Sequence, residues 1–150
     1  RTMWDDKVDP YLPGMHRVTV ETFRDVPFAS ANSPEISYED WVREVKGSSA
    51  RKVFALALQG GEVVGYSDVW MPQIEGQSAG VDYTGVLRSH RGRGIAFALK
   101  VSAVTEAAKA GATLVRTNND PDNPAILRLN ERLGFRPVPG PVIYRKQVSS

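Results

Sequence analysis

Three arginines and two glycines fall within residues 88–94, and this stretch is the part of the chain best suited to chemistry. A glycine-rich turn can direct several backbone N–H groups at one anion, because glycine allows positive φ values and a close approach. Before the turn, the apolar and β-prone residues are Val81, Tyr83, Val86 and Leu87. The run from Ile95 onward suits a buried helix. The helix N-terminus would add partial positive charge to the charges of the arginines. A strand, a basic turn and a helix in this order predict a phosphate-binding site.

Two familiar phosphate motifs do not fit this turn. No Gly-Lys-Ser/Thr string is present, so the turn is not a P-loop. The dinucleotide fingerprint requires a third small residue where Phe97 stands. The alternative interpretation of residues 88–94 is an exposed arginine-rich loop without a ligand.

The composition is that of one ordinary globular domain, with 150 residues, 41% hydrophobic and 24% charged, and a formal net charge of +2. No cysteine occurs, which excludes disulfides, a thiol nucleophile and thiolate metal ligands. The two histidines, His16 and His90, lack metal-ligand spacing, so no metal site is predicted. No apolar run approaches the roughly 20 residues of a membrane helix, and no signal peptide is visible. We therefore expect a cytoplasmic protein that binds neither membranes nor nucleic acid.

Hydrophobic periodicity and turn residues divide the chain into helices and strands that must position this turn. Helices are predicted at residues 10–24, 37–47, 92–110 and 123–133. Strands are predicted at residues 51–58, 63–71, 81–88, 113–117, 135–138 and 142–146. Gly65 predicts a bulge in the second of these strands. No strand is predicted before Pro10.

Two segments of the chain carry a family resemblance. The turn has the pattern Arg-x-x-Gly-x-Ala from Arg91 to Ala96. Further along, Asn123 precedes an apolar helix that ends in the pair Gly134-Phe135. With both segments in register, the chain resembles the GNAT superfamily of acetyl-CoA-dependent N-acyltransferases over about residues 38–146. It is most similar to actinobacterial-type GNAT domains, often found in tandem, which carry the Thr-Gly-Val…His-Arg-Gly-Arg-Gly string that begins here at Thr84.

The resemblance implies an α+β fold of three layers, in which helices flank a mixed, mostly antiparallel sheet. That sheet would split between the strand ending at Val86 and the strand at residues 113–117, and the pantetheine arm of acetyl-CoA would lie in the split. The residues that the resemblance assigns to the cofactor are Val86, Leu87, Arg88, Arg91, Gly92, Arg93, Gly94, Ile95, Ala96 and Asn123. For Asn123 a helix N-cap is an equal alternative, and the two roles are compatible.

Acyl transfer to an amine requires a neutral amine, a stabilised carbonyl oxygen and a leaving thiolate. The resemblance makes Asp82 the candidate base, and alternation would place it on one face with Thr84 and Val86. The alternative for Asp82 is an ordinary strand-edge acid. Many family members have a tyrosine acid where this chain has Asn130. Either Tyr144, water or another group would therefore protonate the thiolate, or the thiolate would leave unassisted. His90 lies in the turn and is expected to contact phosphate or solvent.

The resemblance predicts an N-acetyltransferase that moves an acetyl group from acetyl-CoA to a small or peptidic amine. The alternatives are a catalytically silent acyl-CoA-binding domain and a basic nucleic-acid-binding module. The latter lacks the aromatic platform that such modules use. The family begins with a strand that this sequence does not show. We therefore expect residues 1–150 to be a single domain that is trimmed or is the C-terminal part of a longer chain, with a second GNAT domain or a second copy covering the exposed sheet edge.

Overall fold

Five strands form one mixed sheet in the computed structural model, which describes residues 1–25, 36–119 and 123–140. The strands are β1 (Thr2–Trp4), β2 (Lys52–Gln59), β3 (Glu62–Trp70), β4 (Ala79–Val86) and β5 (Val115–Thr117), and they lie in this order across the sheet. The first four are antiparallel neighbours, and β5 runs parallel to β4. This is the mixed, mostly antiparallel sheet that the family resemblance implied.

Helices cover both faces of the sheet, which gives the predicted three layers. They are α1 (Leu12–Phe23), α2 (Tyr38–Lys46), α3 (Ile95–Lys109) and α4 (Pro124–Arg132). Residues of α1 and α2 form one core with the sheet side chains Phe54, Tyr66 and Leu87. Residues of α3 form a second core with Val69 and Val86 on the opposite face. The central strands are therefore buried on both sides, which explains why residues 52–56 are buried without alternation.

The prediction that no strand precedes Pro10 is wrong, because residues 2–4 form β1 at the edge of the sheet. Met3 pairs with Phe54 of β2, and the N-terminal amine of Arg1 donates to the carbonyl of Leu56 at 2.8 Å. Three residues are too few to show an alternating pattern. The strand exists because β2 offers it a hydrogen-bonding edge, and a single sequence does not display such a partner.

Several predicted boundaries also change. The helix α3 begins at Ile95, since residues 88–90 form a short 3-10 helix and the glycine turn follows it. Residues 135–138 are not a strand. The strand predicted at residues 142–146 lies outside the described residues. No helix within the described ranges is long and apolar enough to cross a bilayer.

Each of the two central antiparallel pairs contains a bulge. Ala57 pairs with Gly65 and Leu58 with Val63, so Val64 is the extra residue on β3, one position from the predicted site at Gly65. Asp68 pairs with Tyr83 and Val69 with Val81, so Asp82 is the extra residue on β4. The second bulge was not predicted, and it reorients the side chain of the candidate base.

Candidate functional site

The sheet opens between β4 and β5. Their parallel pairing starts with Ala79 opposite Val115 and ends with Val81 opposite Thr117. Because β4 continues to Val86, its residues 82–86 have no strand neighbour on that side within the described part of the chain. This opening lies at the carboxyl ends of two parallel strands, which is where open α/β sheets bind their ligands. The predicted split in the sheet is confirmed.

Thr84 and Val86 direct their backbone groups into the opening. The N–H of Leu87 donates to the carbonyl of Val64 at 2.9 Å, so the backbone groups of Leu87 and, by alternation, of Gly85 face β3. Those of the intervening Thr84 and Val86 face the other way. Sequence reasoning named Val86 but missed Thr84, because backbone direction depends on the register of the pairing and leaves no trace in residue type.

The N–H of Arg88, which the sequence assigned to the cofactor, is occupied by a protein partner. It donates to the Glu21 carboxylate of α1 at 2.8 Å. The N–H of Leu87 is likewise bonded within the sheet. Of the three consecutive residues 86–88, only Val86 therefore keeps an N–H group that faces the opening.

The glycine turn connects this edge of β4 to α3. Gly92 and Gly94 both have φ of 76°, and a Cβ added at either would meet nothing within 4 Å. Gly94 is the N-cap of α3 and makes no side-chain cap, and the first intrahelical bond is from the N–H of Ala98 to the Gly94 carbonyl. The N–H groups of residues 95–97 have no acceptor among the described residues. The turn therefore exposes unpaired donors at a positively polarised helix end.

The arginines of the turn are not equivalent. Arg88 and Arg91 both form ion pairs with Asp25, the latter at 2.8 Å, and together they hold the pKa of this carboxyl below its usual range. Arg91 also donates through Nε to the carbonyl of Val86 at 3.0 Å. Within the described ranges, Arg93 makes no ion pair. Sequence reasoning treated the three guanidinium groups alike, but only Arg93 lacks a carboxylate partner in this part of the chain.

Asp82 lies in a cluster of charged side chains that the sequence did not indicate. Lys52 Nζ donates to Asp82 Oδ2 at 2.8 Å and lies 3.5 Å from Asp68 Oδ2. The side chain of Asp82 is 48% exposed, whereas those of Lys52 and Asp68 are buried. Burial raises the pKa of Asp68 to about 6 against the attraction of Lys52. Burial alone would lower the pKa of Lys52, but the two carboxylates outweigh it and raise this pKa.

The predicted orientation of Asp82 is wrong. Lys52 lies two residues before Phe54 and shares its side of the sheet, so Asp82 points to the face covered by α1 and α2. Tyr83, which was expected on the opposite face, stacks on Tyr66 on this same side at 4.4 Å between ring centroids. The bulge at Asp82 interrupts the alternation and causes the difference. The expectation that Tyr83 belongs to the core is confirmed.

Asn123 caps α4, as one of its two predicted roles required. Its side-chain oxygen accepts from the N–H of Ile126 at 3.3 Å. The other role, contact with a cofactor, stays a prediction. Tyr144, the candidate for the acid, lies outside the described residues.

A buried lysine occupies the space between α3 and α4. Lys100 is 1% exposed, and its Nζ donates to Oδ1 of Asn130, which is 7% exposed. The same Nζ lies 5.0 Å from the ring centroid of Phe135. Burial lowers the pKa of Lys100 to about 8. Sequence reasoning passed over this residue, although one lysine within an otherwise apolar helical run was a usable signal.

His90 lies at the surface of the turn, where its ring nitrogens contact Ser89 and Gln59. Contact of His90 with phosphate stays a prediction. No group of side chains able to hold a metal ion occurs among the described residues.

A family model described as "Acetyltransferase (GNAT) family" matches residues 13–135, which is most of the chain. The match includes the opening between β4 and β5, the glycine turn and Asn130. No curated protein matches the sequence significantly.

Solved structures share the fold at low sequence identity. A transcriptional regulator from Bacillus halodurans C-125 is 21% identical with a TM-score of 0.70, covering 97% of this chain and 100% of that one. The aminoglycoside acetyltransferase AAC(6')-Iy, in complex with the bisubstrate analog CoA-S-monomethyl-acetylneamine, is 16% identical with a TM-score of 0.65, covering 99% of both chains. The aminoglycoside acetyltransferase meta-AAC0020 from an uncultured soil metagenomic sample, in complex with sisomicin, is 12% identical with a TM-score of 0.71, covering 99% of this chain and 96% of that one.

Proposed function

Because the chain belongs to the GNAT acetyltransferase family, we propose that it transfers an acetyl group from acetyl-CoA to a primary amine by direct attack of the amine. The observation that carries the proposal is the opening beside β4. Backbone N–H groups there, and further ones in the adjacent glycine turn, have no partner among the residues that the structure describes. A strand edge and a helix N-terminus of this kind are suited to a ligand with an amide-bearing arm and a diphosphate.

The residues present fit acetyl-CoA. The N–H groups of Thr84 and Val86 would hold the pantetheine arm, which carries amide carbonyls. The diphosphate would lie on the N–H groups of residues 92–96, where the two glycines leave space for a close approach. Arg93 would add a full positive charge, and Arg91 keeps the turn against β4 through the Val86 carbonyl. These assignments retain Val86 and the glycine turn, leave out the N–H groups of Leu87 and Arg88, and add Thr84.

Acetyl-CoA supplies the acyl group as an activated thioester. Asp82 is suited to take a proton from the attacking amine, directly or through water, because its carboxylate is half exposed beside the opening. Lys52 fixes the orientation of that carboxylate. The N–H groups on the open edge of β4 are suited to stabilise negative charge that develops on the carbonyl oxygen.

The acceptor that we propose is a small or peptidic amine that approaches from the face covered by α1 and α2. Asp82 points to this face, and a carboxylate attracts the protonated form in which a free amine arrives. Two proteins of the same fold are aminoglycoside acetyltransferases, one of them in complex with sisomicin. Such ligands carry several amino groups, and they are therefore the first acceptors to test.

One observation favours a second function, that of a silent acyl-CoA-binding domain. Asn130 stands where many family members have the tyrosine that protonates the leaving thiolate, and an amide is not an effective acid. Under this alternative the opening binds acyl-CoA and no transfer follows.

The test has two steps. Calorimetry first measures whether the chain binds coenzyme A. Thiol release from acetyl-CoA is then followed with a panel of aminoglycosides, polyamines and short peptides, against the rate without acceptor. Release that depends on an amine supports the transferase. Binding without amine-dependent release supports the silent domain, and failure to bind coenzyme A would overturn both.

A further inference from the structure

The contact between Lys100 and Asn130 connects the two sides of the opening. Lys100 belongs to α3, the helix that follows β4, and Asn130 belongs to α4, the helix that follows β5. Since β4 and β5 separate after Val81, these two helices flank the space between the strands. The buried ammonium group lies against Asn130, the position that a tyrosine fills in many GNAT members.

We propose that Lys100 is the proton donor to the coenzyme A thiolate, and that Asn130 is the positioning residue that holds its Nζ. The inference rests on the proposed function and supplies the acid that Asn130 cannot provide.

Packing alone gives no reason for a lysine at this position. The neighbouring inward residues of α3 are apolar, namely Leu99, Ala103 and Ala107. An ammonium group has three N–H donors, and within the described part of the chain Lys100 has one polar acceptor, Asn130 Oδ1. Burying a charged group with few partners is unfavourable, so a leucine or methionine would stabilise the helix more. The remaining N–H donors have no polar acceptor in this part of the chain.

The chemistry of the group agrees with this role. Its pKa of about 8, lowered by burial, is close to the roughly 8.5 of a cysteine thiol. A proton can pass between two such groups at little cost in free energy, which is the condition for efficient acid catalysis near neutral pH. A surface lysine, with a pKa about two units higher, would be a weaker acid for this step.

In the proposed transfer, Lys100 supplies the proton that the leaving sulfur takes up. The amine nitrogen forms the C–N bond, the C–S bond breaks, and sulfur takes the electron pair of that bond. Nζ of Lys100 gives a proton to sulfur, so that coenzyme A leaves as the thiol and Lys100 is neutral. The amine loses one proton to its base, and Lys100 takes one from solvent before the next turnover. No oxidant, reductant or further reactant is required.

The first experiment measures the ionisation of the thiol without any acceptor. Coenzyme A bound to the wild-type chain is titrated by the ultraviolet absorbance of its thiolate, and Lys100→Met and Lys100→Arg are treated in the same way. Lys109→Met is the matched control, because it removes an exposed lysine of the same helix. We expect the thiol of bound coenzyme A to ionise about one pKa unit lower in wild type, Lys100→Arg and Lys109→Met than in Lys100→Met, because a nearby cation favours the thiolate.

The second experiment separates charge from proton donation. Arginine keeps the charge but does not release its proton at these pH values. Turnover of Lys100→Arg should therefore fall about 100-fold, within the usual range for loss of a general acid, while its bound thiol titrates as in wild type. Lys100→Gln replaces Lys100→Met if methionine prevents folding.

Each outcome has a distinct meaning. Identical thiol titrations in wild type and Lys100→Met, with coenzyme A bound by both, would overturn the inference and leave the proposed function intact. Full turnover by Lys100→Arg would overturn proton donation by Lys100. Failure of the wild-type chain to bind coenzyme A would overturn the proposed function itself.

Discussion

The Nε of Arg91 lies 3.0 Å from the carbonyl oxygen of Val86, and this hydrogen bond ties the glycine turn to the open edge of β4. The two groups of unpaired donors in the candidate site are thereby held at a fixed distance from each other. The same guanidinium group also pairs with Asp25, so an acidic side chain lies beside the proposed diphosphate position.

Replacing Asp25 by asparagine should strengthen coenzyme A binding severalfold. The carboxylate repels the diphosphate and pairs with Arg88 and Arg91, and the amide does neither as strongly. The gain should shrink as salt is added, because salt screens exposed charges. Calorimetry at low and high salt checks this, with Asp9→Asn as the control for loss of an exposed carboxylate paired to a lysine. Weaker binding in Asp25→Asn would mean that Asp25 serves to orient the two arginines.

Replacing Gly94 by valine should weaken coenzyme A binding by at least about tenfold, which corresponds to the loss of one hydrogen bond to a charged group. The side chain would occupy the open space at the turn, and the φ of 76° would strain it. Gly61→Val is the matched control, since Gly61 has φ of 82° and equally open surroundings in the β2–β3 hairpin. Both variants should lose about 1–2 kcal/mol of stability. Equal coenzyme A affinity in the two would contradict the assignment of the turn.

Replacing Asp82 by asparagine should lower kcat/KM at neutral pH by about 100-fold if this carboxylate is the base. The deficit should narrow as the pH rises, because more of the acceptor is then neutral without help. The pH profile of kcat/KM measures this once an acceptor is known. Glu62→Gln removes a carboxylate from a surface ion pair with Arg17 and should leave the profile unchanged. An unaltered rate in Asp82→Asn would remove Asp82 from the mechanism.

The pKa of Asp68, raised by burial to about 6, predicts a pH-dependent stability. The folded chain binds this proton more tightly than the unfolded chain, so its contribution is complete below about pH 4 and is lost as the pH rises through 6. The Asp68→Asn variant has no carboxyl at this position, so its stability does not fall over this pH range for this reason. Its free energy of unfolding relative to wild type should therefore increase between pH 4 and 6, by roughly 1.4 kcal/mol for each unit of pKa shift, and stay level above. Urea unfolding across this range checks it, and a constant difference would contradict the raised pKa.

The lowered pKa of Lys100 predicts that stability depends on pH with the opposite sign. Its pKa is lowered to about 8, so the unfolded chain binds this proton more tightly and wild type gains stability as the pH rises from 8 towards 10. Lys100→Met should be more stable than wild type at pH 7, and this advantage should diminish over the same interval. Unfolding of both chains at several pH values is the measurement. A pH-independent difference would show that the ammonium is not destabilised by burial.

The sequence by itself determined the elements whose signals are local. Gly92 and Gly94 indicated the turn, and the string from Arg91 to Ala96 indicated its ligand. Asn123 indicated the start of α4. These features depend on residues close together in the chain, where backbone preference and capping act directly. The two segments that contain these residues carry the family resemblance, and that resemblance implied the mixed sheet.

Only the tertiary structure decided which groups meet. The strand β1 required the edge of β2, and the direction of Asp82 required the bulge opposite Asp68. The contact of Lys100 with Asn130 joins two residues that are thirty positions apart in the sequence. Pairing register, burial and the pKa shifts that follow from burial are properties of such long-range contacts. A single sequence does not record them, because residue types alone do not specify which distant partner each side chain contacts.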